Sequence, residues 1–600
     1  MADDNNRENT GFEEEEFKAK AYDFRLMKRL LRFAARYWYL FLLAVILLFA
    51  STAADLARPY LIGVAIDDYI KKGDAASLNR TAVYFLLLVV AGFLFNLLQI
   101  YVLSYAGQSI IFNIRQKLFA HMQKMPLSYF DRNPVGRLVT RVTNDTEALN
   151  EVYTNVLVTL LKDVAILAGV VVIMFSLNVT MTLVSLAIMP AVIVLTVFFR
   201  RRIRKVYRNV RTALAKINSA ISENISGMRI IQLFNREKQN FERFDKIGKE
   251  YHKAVMSEVI TFGLFRPAVE MLSFVALALL IWFGGLDVLK GTLQFGILYA
   301  FVNYVSMMFH PINDLAEKYN ILQASMAASE RIFLILDTPV EEDSGTLSIP
   351  DSVKGEIEFR NVWFAYNEND WVLRDVSFKV PAGKTVAIVG ATGAGKTSII
   401  SLLSRLYEIQ KGEILIDGMN IRDIRKDDLR KLIGVVLQDV FLFSGRLRDN
   451  IRLDEESITV EKVIEAARYV NADGFISRLP DGYNTEVMER GSTFSAGQRQ
   501  LLAFARALAF DPAILVLDEA TSNIDTETEL LIQDALAKLT RNRTTIVIAH
   551  RLSTIQHADK ILVLHKGKVR ESGTHQELLA KRGMYYSLYR LQYQKQEPAS

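Results

Sequence analysis

Thr385-Val-Ala-Ile-Val-Gly-Ala-Thr-Gly-Ala-Gly-Lys-Thr-Ser398 is the stretch that decides how this chain is read. Thr385 to Val389 predict a buried strand, and Ile399-Ile400 predict the helix that follows a glycine-rich loop. The loop fits G-x-x-x-x-G-K-[ST] with Gly390, Gly395, Lys396 and Thr397. Around an anion, Gly390, Ala391, Thr392, Gly393, Ala394 and Gly395 fold tightly and turn backbone N–H groups inward. The helix start at Lys396, Thr397 and Ser398 adds partial positive charge for phosphate. Lys396 reaches the β- and γ-phosphates and the Thr397 hydroxyl is a ligand for Mg²⁺. An ordinary glycine turn is the plain alternative, but the strand–loop–helix order favours nucleotide binding.

Further along, Ala513-Ile-Leu-Val-Leu-Asp518-Glu519 is a continuous apolar run ending in two carboxylates. It predicts a strand buried on both faces. Asp518 suits a magnesium shell, and Glu519 suits polarisation of an attacking water. Alone, such a pair is sometimes only a turn; after a phosphate loop it is far more specific.

Hydrophobic residues make up 51% of the chain, high for a soluble protein this rich in charge. The excess lies before residue 320. Net charge is +6, with the basic residues grouped beside apolar runs, so they read as membrane-orientation signals and not as a nucleic-acid surface. The sequence holds no Cys, which excludes disulfides, thiol metal sites and a cysteine nucleophile.

Residues 1–20 are polar, with an acidic run from Glu13 to Glu16, and read as a disordered tail without a leader peptide. Phe24, Met27, Leu31 and Ala34 then recur at helical spacing among Arg25, Lys28, Arg29, Arg32 and Arg36. That pattern fits a helix on a membrane surface, or a soluble surface helix. Six apolar segments follow, at about 38–66, 82–106, 154–176, 179–199, 259–283 and 294–316. Each is long enough for a helix through ~30 Å of hydrocarbon. The two long loops, from Gly107 to Tyr153 and from Arg200 to Glu258, are basic and carry helical periodicity. Short transverse helices are expected at their tips, near Gly136 to Glu147 and Ser222 to Phe234, with Pro126 and Pro134 breaking the first projection. Inside the segments sit Asp55, Arg58, Asn96, Gln99, Lys162, Asp163, Arg266, Glu270, Asn303 and His310. Charge is costly there, so these face a partner or a watery cavity; Arg266 and Glu270 are spaced to pair. The expected organisation is a membrane domain over 21–336, a linker over 337–354 and an α/β domain over 355–592.

The α/β part carries more chemistry. Tyr366 precedes the phosphate-loop strand, where its ring can stack on a nucleobase. Gln438 ends the strand begun at Val435 and can ligate Mg²⁺. Phe494-Ser495-Ala496-Gly497-Gln498 opens a helix whose N-terminus suits an anion. Ile546-Val-Ile-Ala-His550 is a strand ending in a histidine suited to a γ-phosphate. Singly, each is more often structural; together and in this order they are specific.

Over residues 20–592 the chain resembles the ATP-binding-cassette exporters, as a half-transporter with one six-helix membrane domain and one cassette. The resemblance implies an α-helical membrane domain with long intracellular helices followed by an α/β P-loop cassette. It implies a Walker A loop over Gly390–Ser398, the Walker B carboxylate at Asp518 and the catalytic base at Glu519. Tyr366 becomes the adenine stack, Gln438 the Q-loop and His550 the switch histidine. Ser495, Gly497 and Gln498 become the signature that contacts ATP on the opposite cassette, and Asp525 part of the D-loop. The loop tips resemble coupling helices. ATP and Mg²⁺ are the implied cofactors, and ATP-driven export the implied activity. The chain departs from the family at Ala496, where the signature is usually L-S-G-G-Q, and at Asn523-Ile524, where Ala-Leu is usual. Family heterodimers pair an intact catalytic glutamate with an altered signature, so an unlike half-transporter partner is expected. The implied substrate is hydrophobic or amphipathic, drug-like or lipid-like, with peptide export as the alternative. The implied setting is the plasma membrane, with both termini and the cassette in the cytoplasm.

This topology is open to direct test. A membrane-impermeant thiol reagent applied to intact cells should label a cysteine placed at Ala75 and spare one placed at Asn235; the reverse pattern would invert the assignment.

Overall fold

The computed structural model describes residues 24–350, 353–368, 370–518, 526–549 and 552–593. The chain divides into two compact units, Met1–Lys124 with Asn133–Pro339, and Met125–Arg132 with Val340–Ser600.

The first unit is helical, because a backbone in hydrocarbon has no water to bond and a helix satisfies its groups internally. Among the described residues, five helical runs are long and apolar enough to cross a membrane: Phe24–Ile70, Ala75–Met122, Val135–Leu177, Val179–Ser226 and Glu237–Leu289. A sixth helix, Phe295–Asp337, carries a shorter apolar stretch, Phe295–Phe309. Ala75–Met122 has 48 residues and Glu237–Leu289 has 53. At ~1.5 Å per residue they run about 72 and 80 Å, more than twice the hydrocarbon thickness. Apolar content marks only one part of each rod, toward the N-terminal end of Ala75–Met122 and the C-terminal end of Glu237–Leu289, so the sequence locates the apolar part of a helix better than its charged end.

Backbone approach and buried polar pairs fix these helices to one another. A Cβ added to Gly63 would sit 2.7 Å from the Gly296 carbonyl oxygen, so the two backbones touch where neither has a side chain. The buried Tyr304 hydroxyl donates to the Leu56 carbonyl at 2.8 Å, and Tyr153 to that of Leu30 at 2.9 Å. Asp163 pairs with Lys318 across two helices, whereas the half-buried Asp55 and Arg58 pair at 3.1 Å within one. Asp145 is buried between two arginines. Arg331 donates to both its oxygens, at 2.6 and 3.0 Å, and Arg141 donates at 2.8 Å.

The second unit is α/β. Its strands are β1 (Ile357–Ala365), β2 (Trp371–Val380), β3 (Thr385–Val389), β4 (Lys411–Ile416), β5 (Met419–Asn420), β6 (Ile433–Val436), β7 (Gly445–Arg446), β8 (Glu486–Val487), β9 (Ile514–Asp518), β10 (Thr544–Ile548), β11 (Lys560–His565) and β12 (Lys568–Gly573). β2-β1-β4-β5 form an antiparallel sheet. β12-β11-β3-β10-β9-β6 form a second, parallel apart from β12, and β7 pairs with β8. β9 and β10 are buried on every residue; β9 is apolar up to Asp518, and β10 opens with the buried Thr544 and Thr545 before its apolar part. β1 runs unbroken through Asn361. Asn361 adopts φ +48°, and the pairing with β2 shifts register there.

Chain from Val340 onward belongs to this unit, and side chains tie it down. The buried Arg405 guanidinium donates to the carbonyls of Ile421 and Ile424 and to Ser344 Oγ. Lys426 pairs with Glu341 at 3.0 Å, and its backbone N–H donates to Asp343.

The Asp145 clamp yields a stability prediction. Asp145→Ala leaves Arg141 and Arg331 facing each other without the anion between them. Removing one partner of a buried pair costs about 3–5 kcal/mol; the partial exposure of both arginines brings the expected loss to roughly 2. Thermal unfolding of the detergent-solubilised protein should show it, and Asp145→Glu should recover part.

Candidate nucleotide site

β3, β10, β9 and β6 run parallel and adjacent, so their carboxyl ends share one edge of the sheet. That edge collects groups far apart in sequence. The phosphate loop follows β3, Asp518 ends β9, and Gln438 lies two residues beyond β6. Val436 registers against Leu517, which sets Gln438 beside the end of the Asp518 strand.

The loop has the shape its glycines allow. Gly393 and Gly395 adopt φ +78° and +100°, where a side chain is strained. A Cβ on Gly395 would also meet Leu373 Cδ2 at 2.7 Å. Gly395 is the cap of the helix Lys396–Leu403, so the free N–H groups of the first turn point into the loop. Lys396 is buried, and its Nζ donates to the loop carbonyls of Gly390 at 2.8 Å and Ala391 at 3.2 Å. Burial pushes its pKa below the ordinary lysine value, while the charge of Asp518 opposes the shift. This is a cradle for an anion, with an ammonium folded over it and a carboxylate in its field.

Ser398 is buried, and its hydroxyl shares a 3.0 Å hydrogen bond with the hydroxyl of Tyr366. The Tyr366 ring stands edge-on to Phe364 at 4.7 Å and to Tyr407 at 5.0 Å, leaving it partly exposed at the rim. The chemistry of the donor set fits Mg²⁺. Thr397, Gln438 and Asp518 offer hydroxyl, amide and carboxylate oxygens, the hard ligands that ion takes. When bound there, Mg²⁺ would neutralise charge on the phosphates.

Ser495, Gly497 and Gln498 are differently disposed. Ser495 Oγ accepts the Gln498 N–H at 3.2 Å, and Gln498 Oε1 accepts the Ser495 N–H at 3.0 Å. This capping box opens the helix Ala496–Ala509, with Ala496 at its first position and Gly497 buried. Glu519, His550 and the stretch Ser522 to Asp525 lie outside the described residues.

Sequence reasoning missed one part of this unit. The short helix Leu127–Arg132 belongs to it, whereas Gly136 to Glu147, expected as the loop tip, lies in the first unit as Val135–Thr140 and the turns after it. Asp131 accepts the Tyr407 hydroxyl, and Arg132 donates to the Tyr366 carbonyl at 3.3 Å. Burial and that bond to Asp131 both raise the Tyr407 pKa. Pro126 and Pro134 break the projection as expected: Ala75–Met122 ends before the first and Leu127–Arg132 before the second, and each proline precedes a new helix, where an N–H is spare anyway. The signal lay in Tyr129-Phe130-Asp131, apolar and acidic between two prolines.

A phosphate cradle, a strand-end aspartate and a membrane-crossing helical unit in one chain define a membrane transporter that spends ATP. Comparison with known proteins agrees. Residues 41–312 match the ABC transporter transmembrane region, and residues 373–522 match the ABC transporter family. The chain is 40% identical over 585 residues to "Uncharacterized ABC transporter ATP-binding protein YknV" of Bacillus subtilis (strain 168), covering 97% of each chain. It is 42% identical over 509 residues to "Probable multidrug resistance ABC transporter ATP-binding/permease protein YheH" of the same organism, covering 84% of this chain and 75% of that one. It is also 34% identical over 572 residues to "ATP-dependent lipid A-core flippase" of Syntrophus aciditrophicus (strain SB), covering 95% of each. The chain belongs to the ABC transporter family, as an exporter half-transporter. It is a multi-pass membrane protein that binds ATP and hydrolyses it to drive transport.

Gly395→Ala tests the cradle. The methyl meets Leu373 at a backbone angle that L-residues avoid, a strain of about 1–3 kcal/mol. ATP binding, followed by equilibrium titration, should weaken about tenfold or more, with the cassette still folded by circular dichroism.

Proposed function

We propose that this chain is one half of a heterodimeric exporter that moves hydrophobic or amphipathic small molecules, drug-like or lipid-like, across the plasma membrane by alternating access. One observation carries the reading. Lys396, Asp518 and Gln438 gather on one sheet edge, while Ser495 and Gln498 close on each other in a capping box at the start of another helix. A signature built this way serves ATP held by another cassette. In this chain it carries Ala496, whose methyl stands where backbone should approach phosphate closely. The weak signature faces the partner's Walker loop, and the partner's signature completes the site on Lys396 and Asp518.

In that completed site Lys396 and the loop N–H groups orient the phosphates, and Thr397, Gln438 and Asp518 hold Mg²⁺. Glu519 positions water, His550 contacts the γ-phosphate and Tyr366 stacks on adenine. Both termini and the cassette lie on the cytoplasmic side. The names of two relatives, one for multidrug resistance and one for lipid A-core, support an amphipathic substrate. A second reading, a homodimeric lipid flippase, draws on the second of those names, given to a protein that matches over 95% of both chains.

One measurement tests the catalytic assignment and a second decides between the two assemblies. Glu519→Gln keeps size and removes charge, so the composite site should lose roughly 10²–10⁴-fold in ATPase rate and still bind ATP. Purified alone, wild-type chain should form no stable dimer with substrate-stimulated ATPase activity. If it does, the homodimer is the right reading.

A further inference from the structure

We infer that Tyr407 is a positioning residue for adenine: it sets the plane of the Tyr366 ring and is itself held by Asp131 of the short helix Leu127–Arg132, so that recognition of the base depends on that helix. The inference rests on the stacking role proposed above for Tyr366 and adds to it the residues that orient the stack.

The backbone puts Tyr407 in place. The helix Lys396–Leu403 is followed by a left-handed residue, Arg405 at φ +50°. The Arg405 N–H donates to the Leu402 carbonyl at 3.0 Å and the Leu406 N–H to that of Ser401 at 2.9 Å, which closes the helix and turns the chain. The buried Arg405 guanidinium is anchored on the carbonyls of Ile421 and Ile424, so the turn is fixed. Three residues past Tyr407, Gln410 pairs with Ala365 much as a strand would. Its Oε1 accepts the Ala365 N–H at 3.1 Å, and its Nε2 donates to the Ala365 carbonyl at 2.9 Å. Tyr407 and Tyr366 are therefore set side by side by bonds that involve neither ring.

The Tyr366 ring is then walled by two others. It stands at 79° to Phe364, with centroids 4.7 Å apart, and at 88° to Tyr407, 5.0 Å apart. Phe364 and Tyr407 meet each other at 5.7 Å, so the three rings form one closed group. The two walls are fixed differently. Phe364 is buried and belongs to the core. Tyr407 is half-buried, and its hydroxyl donates to the exposed Asp131. From the same short helix, Arg132 donates to the Tyr366 carbonyl at 3.3 Å. That helix lies in the same unit as the cassette strands.

The phosphate loop reads only the phosphates; the base is read by a ring. A ring held in its binding orientation loses little freedom when the base arrives, and a ring free to tip loses more. Truncating Tyr407 removes one wall, and removing its hydroxyl or Asp131 loosens that wall. Both should weaken adenine binding without touching the cradle.

The test uses the complete transporter in vesicles and steady-state ATPase activity. Inorganic tripolyphosphate, a competitor that reaches the phosphate loop without a base, is the internal control. Tyr366→Ala should raise the KM for ATP about tenfold, the worth of one base–aromatic stack. Tyr407→Ala should raise it about fivefold, with kcat at saturating ATP and the tripolyphosphate inhibition constant unchanged. Tyr407→Phe and Asp131→Ala should each raise it about threefold, and the two together no further, as for two ends of one bond. Equal rises in KM and in the tripolyphosphate constant would mean damage to the loop and overturn the inference. So would a wild-type KM in Tyr407→Ala while Tyr366→Ala loses affinity. Additive rises in the Asp131 and Tyr407 double variant would overturn the link to the short helix. If Tyr366→Ala itself leaves KM unchanged, the stacking reading falls and takes the inference with it.

Discussion

Parallel pairing of β3, β10, β9 and β6 is the constraint on which the cassette depends. Parallel strands point their carboxyl ends the same way, so whatever follows each strand arrives at a common edge. The phosphate loop, Asp518 and Gln438 are neighbours for that reason alone. The strands are held by burial. β9 and β10 lie in the sheet interior with every residue covered, and polar substitution there would dismantle the edge before touching the chemistry.

Lysine chemistry shows how that edge is tuned. Lys396 is buried, which disfavours its charge, yet it sits in the field of Asp518 and on two carbonyls, which favour it. The Lys396 Nζ is thereby poorly hydrated and held by fixed partners, the condition under which an ammonium gains most from phosphate oxygens. Tyr407 belongs to the same neighbourhood from the other side. Its hydroxyl bonds to Asp131 and its ring abuts Tyr366, so the short helix Leu127–Arg132 borders the ring expected to stack on adenine.

Much of this was legible in the sequence, because the phosphate loop is local. Strand, glycines, lysine and helix are contiguous, and the glycines have physical reasons: positive φ at Gly393 and Gly395, and at Gly390 the close approach of the Leu564 carbonyl. The strand ends at Asp518 and near Gln438 were legible because buried parallel strands are continuous apolar runs. What was not legible depended on distance or on context. Tyr129-Phe130-Asp131 marks Leu127 to Arg132 as a contact segment, but which unit it joins follows only from Tyr407 and Tyr366, more than 230 residues away. Nor does the sequence around Asn361 show that one left-handed residue there shifts the register of β1 without ending it. The projection of the helices beyond their apolar parts was legible as helical periodicity in the long loops, but the exact end residues were not, because amphipathic and charged sequence continues the same helix.

The contact between Gly63 and Gly296 has a mechanical consequence. Each bare Cα leaves room for the other's carbonyl oxygen, and a Cβ on Gly296 would come within 2.1 Å of the Gly63 carbonyl oxygen. Two rods that touch at their axes through interlocked carbonyls cannot roll or slide past one another as two rods cushioned by leucines can. The junction acts as a rivet. Trp38–Val64 and the start of Phe295–Asp337 are joined there as one stiff plate, and any rearrangement during transport has to swing that plate as a whole, with its flexing confined to the less tightly keyed helices around it.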